Sequence, residues 1–250
     1  MFDVAKQLAV QSYCFRHFKT IDELIAQIKG IGLARVELCR AHLDFNDESL
    51  FEPAIEQFKK AGVQIGSIGM QRFKGDTVNE EKWFRFCKLS GAKMISVTFN
   101  LDSVPDAYKS AEAMAEKYDV LLGIHNHGGT DWLGNSVMLN NILQNTGPRM
   151  GLCIDSAMTL AVGEDPLKWA ERFSERLYGT HVKDFIFDRA RKAQDVVVGT
   201  GNLKLAEYMK LILKAPKMAA ITLEYEGDVE NPGPALRDCV NQIKAAVTSI

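Results

Sequence analysis

Short apolar runs rich in Val and Ile alternate eight times along this chain with longer segments of helical periodicity. Few architectures accommodate that alternation, because strands joined by helical crossovers run parallel and the crossing helices must cover the sheet. The expected strands are LAVQSYC from Leu8, ARVELC from Ala34, VQIGSIG from Val63, KMISVTF from Lys93, VLLGIHN from Val120, MGLCID from Met150, LYGTHVK from Leu177 and AAITLEY from Ala219. A doubly wound open sheet shows the same alternation. Two features favour closure: no GxGxxG follows the first strand, and polar residues stand at the carboxyl ends of many strands instead of at one switch point. The 250 residues, 46% hydrophobic, suffice for one large core. The expectation is an α/β fold in one domain over residues 1–250, a single parallel (β/α)8 barrel.

The intervening segments carry helix punctuation. In TIDELIAQIKG, Thr20 is placed to cap the helix with Glu23 three residues on, and Gly30 is the expected stop. ESLFEPAIEQFKKAG, NEEKWFRFCKLSGA and DAYKSAEAMAEKYD each end just before a strand, as a βα unit requires. The only long stretch that reads as irregular, DFIFDRARKAQDVVVGTGN, follows the seventh strand, a position suited to a substrate loop.

Charge narrows the partners. Lys and Arg number 30 against 32 Asp and Glu, so no broad positive field is available for nucleic acid or an anionic membrane. The start, MFDVAKQLAVQSYCFRHF, lacks a basic segment followed by an apolar run, and no apolar stretch approaches a membrane span; the expectation is a soluble, cytoplasmic protein. Cys14, Cys39, Cys87, Cys153 and Cys239 are odd in number and form no CxxC pair, the pattern of buried free thiols.

Active sites of parallel barrels are built from the carboxyl ends of the strands, and here the last four are rich in ionisable groups. They close in His125-Asn126-His127, Asp155-Ser156, His181-Val182-Lys183-Asp184 and Glu224-Tyr225-Glu226. Imidazoles and carboxylates converging on one mouth suit Mn, Zn, Mg or Co. Asp155 ends an apolar run, where an uncompensated carboxylate is costly, so it calls for a partner or a metal. Strand alternation puts Thr222, Glu224 and Glu226 on one face, and an ion pair with Lys183 or Arg189 is the structural alternative for the glutamates. His17 and His42 read as surface or core residues. Trp132, in GGTDWLGN, reads as an exposed aromatic that covers substrate or meets a second copy of the chain in a homo-oligomer.

RVEL, LSGAKMISV, LLGIHNHGG, GLCIDSAM, THVKDF, VVVGTGNL and ITLEYE occur in the order and at the approximate spacings of a known family. Through them most of the chain resembles the xylose-isomerase-like barrels, also described as sugar phosphate isomerases/epimerases. The resemblance implies one divalent metal held at the ends of strands five to eight, which here are His125, Asp155, His181 and Glu224. At strand five the epimerases commonly carry a glutamate that is also an acid/base group, where this chain has His125. Met158 stands where relatives often have a substrate-contacting His. Gly199-Thr200-Gly201-Asn202 resembles the family's GxGxxD-type loop with its acid shifted or lost, and reads either as a phosphate cradle or as a turn capping the next helix.

The chemistry implied is proton removal beside a sugar carbonyl, the resulting ene-diolate being stabilised by the metal. Glu224 would serve as ligand and base, His127 as acid, Lys183 as stabiliser of the oxyanion, and Glu37 as opposing carboxylate or hydroxyl ligand, unless it pairs with Arg35, Arg40 or Lys183; Glu226 and Trp132 would touch substrate. The first expectation is an isomerase or epimerase of a small keto sugar or sugar phosphate. The second is a lyase or dehydratase of keto-sugars, inososes or keto-glycosides, which the exchange of glutamate for His125 favours. An apurinic endonuclease is less favoured, since strand three ends in Ile68-Gly69-Met70-Gln71 and offers no ligand. A sugar-binding barrel without turnover is the remaining alternative.

Overall fold

The computed structural model describes residues 2–250. Its strands are β1 (Leu8–Gln11), β2 (Arg35–Leu38), β3 (Gln64–Phe73), β4 (Met94–Phe99), β5 (Leu121–His125), β6 (Met150–Asp155), β7 (Leu177–Val182), β8 (Asp184–Phe187), β9 (Ala193–Val196) and β10 (Ala220–Leu223). The helices are α1 (Val4–Gln7), α2 (Ile21–Gly30), α3 (Phe51–Lys60), α4 (Thr77–Ser90), α5 (Asp106–Tyr118), α6 (Ser136–Gln144), α7 (Ser156–Ala161), α8 (Pro166–Arg172), α9 (Leu205–Ile212) and α10 (Gly233–Thr248). Eight parallel strands close in the order β1-β10-β7-β6-β5-β4-β3-β2, so the closed (β/α)8 barrel is the observed architecture.

Each expected strand lies where the apolar runs put it, with shifted ends. β1 stops at Gln11 and the chain passes into a 3-10 turn over Ser12–Phe15. β3 runs on to Phe73 because the register shifts between Ile68 and Gln71 and lets pairing with β4 resume. The expected irregular stretch after β7 is corrected: β8 and β9 form a two-stranded antiparallel ribbon over residues 184–196.

The main core lies between the strands and the helix ring. A smaller cluster of Met94, Cys153, Tyr178 and Ala220 fills the barrel interior. Gly179 leaves the space that Met94 needs, since a Cβ there would fall 2.6 Å from Met94 Cε, across the interior from β4 to β7. All five cysteines are buried and unpaired, as expected. Among the described residues, no helix is long and apolar enough to cross a membrane.

The α2 cap is the expected capping box: Thr20 Oγ1 accepts from Glu23 N and Glu23 Oε2 accepts from Thr20 N. Gly30 is the last residue of α2, as expected, and the left-handed turn follows at Gly32, with φ 79°. Thr20→Ala should lower unfolding free energy by about 1 kcal/mol in urea titration, with an unchanged m-value.

Candidate metal centre at the barrel mouth

Parallel register brings distant residues together at one rim. Asp155 pairs with His181, and His181 with Thr222, so β6, β7 and β10 finish side by side. Asp155 also caps α7. Its Oδ1 accepts from Met158 N at 2.9 Å, while Oδ2 is buried without any hydrogen-bond partner. His125 Nε2 lies 3.8 Å from that orphaned oxygen and 3.0 Å from His181 Nδ1. Glu224, just beyond β10, donates its N–H to Val182 O at 3.2 Å and sets Oε2 2.9 Å from His181 Nδ1. One ligand atom from each of His125, Asp155, His181 and Glu224 thus lies within 4.8 Å of the other three, and all four residues are buried.

These residues fit a divalent ion. Ligands at about 2.1 Å from a metal stand about 3.0 Å apart on an octahedron and about 3.4 Å apart on a tetrahedron; the 2.9 and 3.0 Å spacings around His181 Nδ1 match these, and the 3.8 Å between His125 and Asp155 would have to close by a few tenths of an ångström. The buried, unpartnered Asp155 Oδ2 is the atom such an ion would satisfy.

His181 is aimed from behind. Its Nε2 lies 2.8 Å from Glu37 Oε1, which also accepts from Gln11 Nε2 at 2.7 Å; Ser67 Oγ donates to Oε2 at 2.7 Å. Glu37 is fully buried and makes none of the pairings anticipated with Arg35, Arg40 or Lys183. A carboxylate on the outer nitrogen fixes the ring so that Nδ1 faces the centre. Asn126, between the two histidines of the HNH segment, clamps β5 to β6. Its Oδ1 accepts from Asp155 N at 2.8 Å, and its Nδ2 donates to Asp155 O and Thr159 Oγ1.

Electrostatics follow from burial and crowding. Burial pushes the Asp155 carboxyl up to about 6, against the pull of Lys183. Burial acts the same way on Glu224, but Lys183 and His181 outweigh it and hold the carboxyl well below its ordinary range. Burial, then His181, press His125 far below an ordinary imidazole. His181 is raised despite burial, because Glu37, Cys153 and Glu224 favour its charged form. A cluster that draws a proton onto one imidazole demands positive charge, which a divalent ion would supply instead.

Lys183 is 1% exposed and bonds Glu226 Oε1, with Glu224 Oε2 at 3.9 Å. Burial works against its charge, yet Glu224, Asp155, Asp195 and Glu226 together raise its pKa. Glu226 lies beyond the end of β10 and also meets Arg16 at 3.6 Å, so the ion-pair alternative holds for it, with Arg16 in place of Arg189. Burial pushes Asp195, on β9, up to about 6, against Lys183; its Oδ1 accepts from Glu226 N at 3.4 Å.

His127 is half-buried beside His125, ring centroids 4.7 Å apart, and its Nδ1 has no partner; burial lowers its pKa. Trp132 is corrected from exposed to half-buried, its indole N–H donating to Phe99 O at 3.2 Å at the end of β4. His17 is exposed and His42 is buried near Phe15 O, both apart from the four-residue cluster.

The glycine loop is a turn with its own anion. The Asp184 carboxylate accepts from the N–H groups of Gly199, Gly201, Asn202 and Leu203 at 2.8 to 2.9 Å. The backbone donors that would cradle a phosphate are therefore engaged by a buried side chain. Sequence reasoning did not assign this role to Asp184, nor those of Gln11, Ser67, Asn126 and Asp195. Gln11 carried a usable signal, being a polar residue at the end of a strand that closes a barrel.

Residues 25–245 match the family model described as xylose isomerase-like TIM barrel. No curated relative matches the sequence. Several solved structures share the fold at low identity. A xylose isomerase-like TIM barrel protein from Mycobacterium smegmatis, in complex with magnesium, superposes with a TM-score of 0.76 at 11% identity, over 99% of this chain and 100% of that one. A sugar phosphate isomerase/epimerase from Parabacteroides distasonis gives 0.73 at 15% identity, over 98% and 95%. The probable 3-DHS dehydratase AsbF from Bacillus anthracis gives 0.73 at 14%, over 95% and 98%.

Proposed function

This chain belongs to the xylose isomerase-like TIM barrel family, and from that premise we propose that it is a divalent-metal-dependent isomerase or epimerase of a small keto sugar or sugar phosphate. The observation that carries the reading is the cluster of His125, Asp155, His181 and Glu224, four buried ligand atoms within 4.8 Å of one another, with Asp155 Oδ2 unsatisfied. Two imidazoles and two carboxylates suit Mn, Co, Zn or Mg, and the Mycobacterium smegmatis relative is a magnesium complex. When bound, such an ion supplies Lewis-acid polarisation of the substrate carbonyl.

The chain's own residues supply the proton chemistry. Glu224 is kept ionised by Lys183 and His181, so it is ready to take a proton from the carbon beside the carbonyl. Half-buried His127, held neutral by burial and with Nδ1 unpartnered, returns or relays that proton. Lys183 keeps its charge at the mouth and offsets negative charge that develops on the substrate oxygen. Glu37 is a positioning residue that orients His181. His125 stands where the epimerases commonly carry an acid/base glutamate, which favours a second reading: loss of a β-substituent from the same enolate, as a lyase or dehydratase does. AsbF, named as a probable dehydratase, shares the fold.

A screen of ketoses, inososes and keto-glycosides with added Mn, run in deuterated water, separates the two. Solvent deuterium entering the substrate carbon without loss of a group supports the isomerase, and release of a leaving group moves the assignment to the lyase. The purified protein should hold close to one divalent ion per chain, and a chelator should lower its Tm. Protein with neither property would end the metal-enzyme proposal. Ligands bind metal only when deprotonated, so affinity should fall as pH drops, first through the raised pKa of His181 and again below about 6, where Asp155 takes up a proton. Calorimetric metal titrations on both sides of that value measure it; equal affinities would refute the competition.

A further inference from the structure

The opposite end of the barrel holds a cation without a counter-charge among the described residues. Arg35 is the first residue of β2, two positions before Glu37 and on the same face of the strand, so its side chain points to the barrel axis at the amino-terminal floor. Its Nε is buried without a hydrogen-bond partner among the described residues. Burial lowers its pKa and no neighbouring carboxylate offsets the effect. The backbone makes room for it. A Cβ on Gly66, at the register shift where β3 pairs with β2, would fall 2.7 Å from Arg35 Nε. Arg35 borders a cavity of about 420 Å³, whose other walls include Gln7, Phe2, Leu213, Met218 and Ile221.

Arg35 is half-buried, and leaving its charge and the buried Nε unmet is unfavourable. A carboxylate or a phosphate answers both, since either matches the planar fork with two parallel hydrogen bonds. The side chains of Phe2, Leu213, Met218 and Ile221 give the cavity an apolar share about as large as its polar share. A bare anion would therefore use half of the site, while an anion with a short apolar tail would use all of it.

We propose that this floor pocket is a second binding site, which takes the carboxylate or phosphate of a small amphiphilic anion on Arg35 and its apolar part against Phe2, Met218 and Ile221. The site lies at the opposite end of the barrel from His181 and requires nothing of the metal centre.

The test uses thermal melts of the full chain in hexanoate and in inorganic phosphate, each against chloride at matched ionic strength. Hexanoate should raise the wild-type Tm by about 3 °C or more at several times its Kd, and phosphate by less if the apolar wall contributes. A larger shift with phosphate would assign the site to phosphoryl groups instead, with Arg35 still as its anchor. Arg35→Met should abolish both shifts, keep its divalent ion content, and melt at least as high as wild type without these anions, because it removes an unpaired cation. Should Arg35→Met fail to fold, Arg35→Lys keeps the charge without the fork and should weaken hexanoate binding at least tenfold in calorimetry. The proposal fails if neither anion acts beyond chloride on the wild type, or if an Arg35 variant responds as the wild type does.

Discussion

Glu224→Gln should lower kcat/KM at least about 1,000-fold on whichever ketose the deuterium screen identifies, and strip most of the bound metal. The substitution preserves shape and removes charge. Three consequences follow from the geometry. A ligand oxygen 2.9 Å from His181 Nδ1 loses its negative charge, Lys183 keeps Glu226 but loses the carboxylate 3.9 Å away, and the proposed base disappears. Loss of a general base alone costs about 100- to 10,000-fold. The loss should fall mainly on kcat, because the proton is moved in the transition state. Glu37→Gln is the companion, since it acts only through the ring of His181. It should weaken metal binding about 10- to 100-fold, with much of the activity restored at saturating metal. A Glu224→Gln protein that holds its metal and turns over within tenfold of wild type would remove this residue from the mechanism.

Asp184→Ala should lower Tm by about 10 °C and expose residues 188–203 to proteolysis. The buried carboxylate gathers four backbone N–H groups, and each hydrogen bond to a charged acceptor contributes about 1.5–3 kcal/mol. The four do not add fully, because a freed loop turns some donors to water, so a net loss of about 3–5 kcal/mol is expected. In a chain of 250 residues each kcal/mol moves Tm by about 2–4 °C. Asp184→Asn should recover little, since its NH2 would face the same donors. A Tm within 2 °C of wild type, with the loop still protected, would show that the turn stands without its anion. The β8–β9 ribbon begins at Asp184, so releasing it also loosens Asp195, which lies over Lys183 and Glu226.

Several parts of the candidate site were legible one residue at a time. Asp155 announces itself because a carboxylate ends an apolar run, where burial without a partner is costly. His125, His181 and Glu224 stood at or just beyond strand ends and were singled out by the family resemblance, and parallel register then requires those strand ends to share a rim. Glu37 was visible as a strand-end acid, but its partner was not: His181 is 144 residues away, and local charge pointed to Arg35 or Arg40. Trp132 looked exposed because its loop is polar, and its indole N–H found the carbonyl of Phe99 on a neighbouring strand. The ribbon of β8 and β9 was hidden because residues 188–192, charged and turn-forming, break the alternation that marks strands.

Sequence alone determined the order of the eight barrel strands and their crossover helices and the polar character of their carboxyl ends, and resemblance to a known family named the four residues expected to cluster there. The strands and their polar ends depend on period, polarity and chain order, which are local quantities. Only the tertiary structure decided which face of each ring is turned inward, which acid stands behind His181, and which anion fills the glycine loop. Those outcomes depend on distances between atoms far apart in the chain, and one polar side chain has many possible partners until packing leaves it a single one.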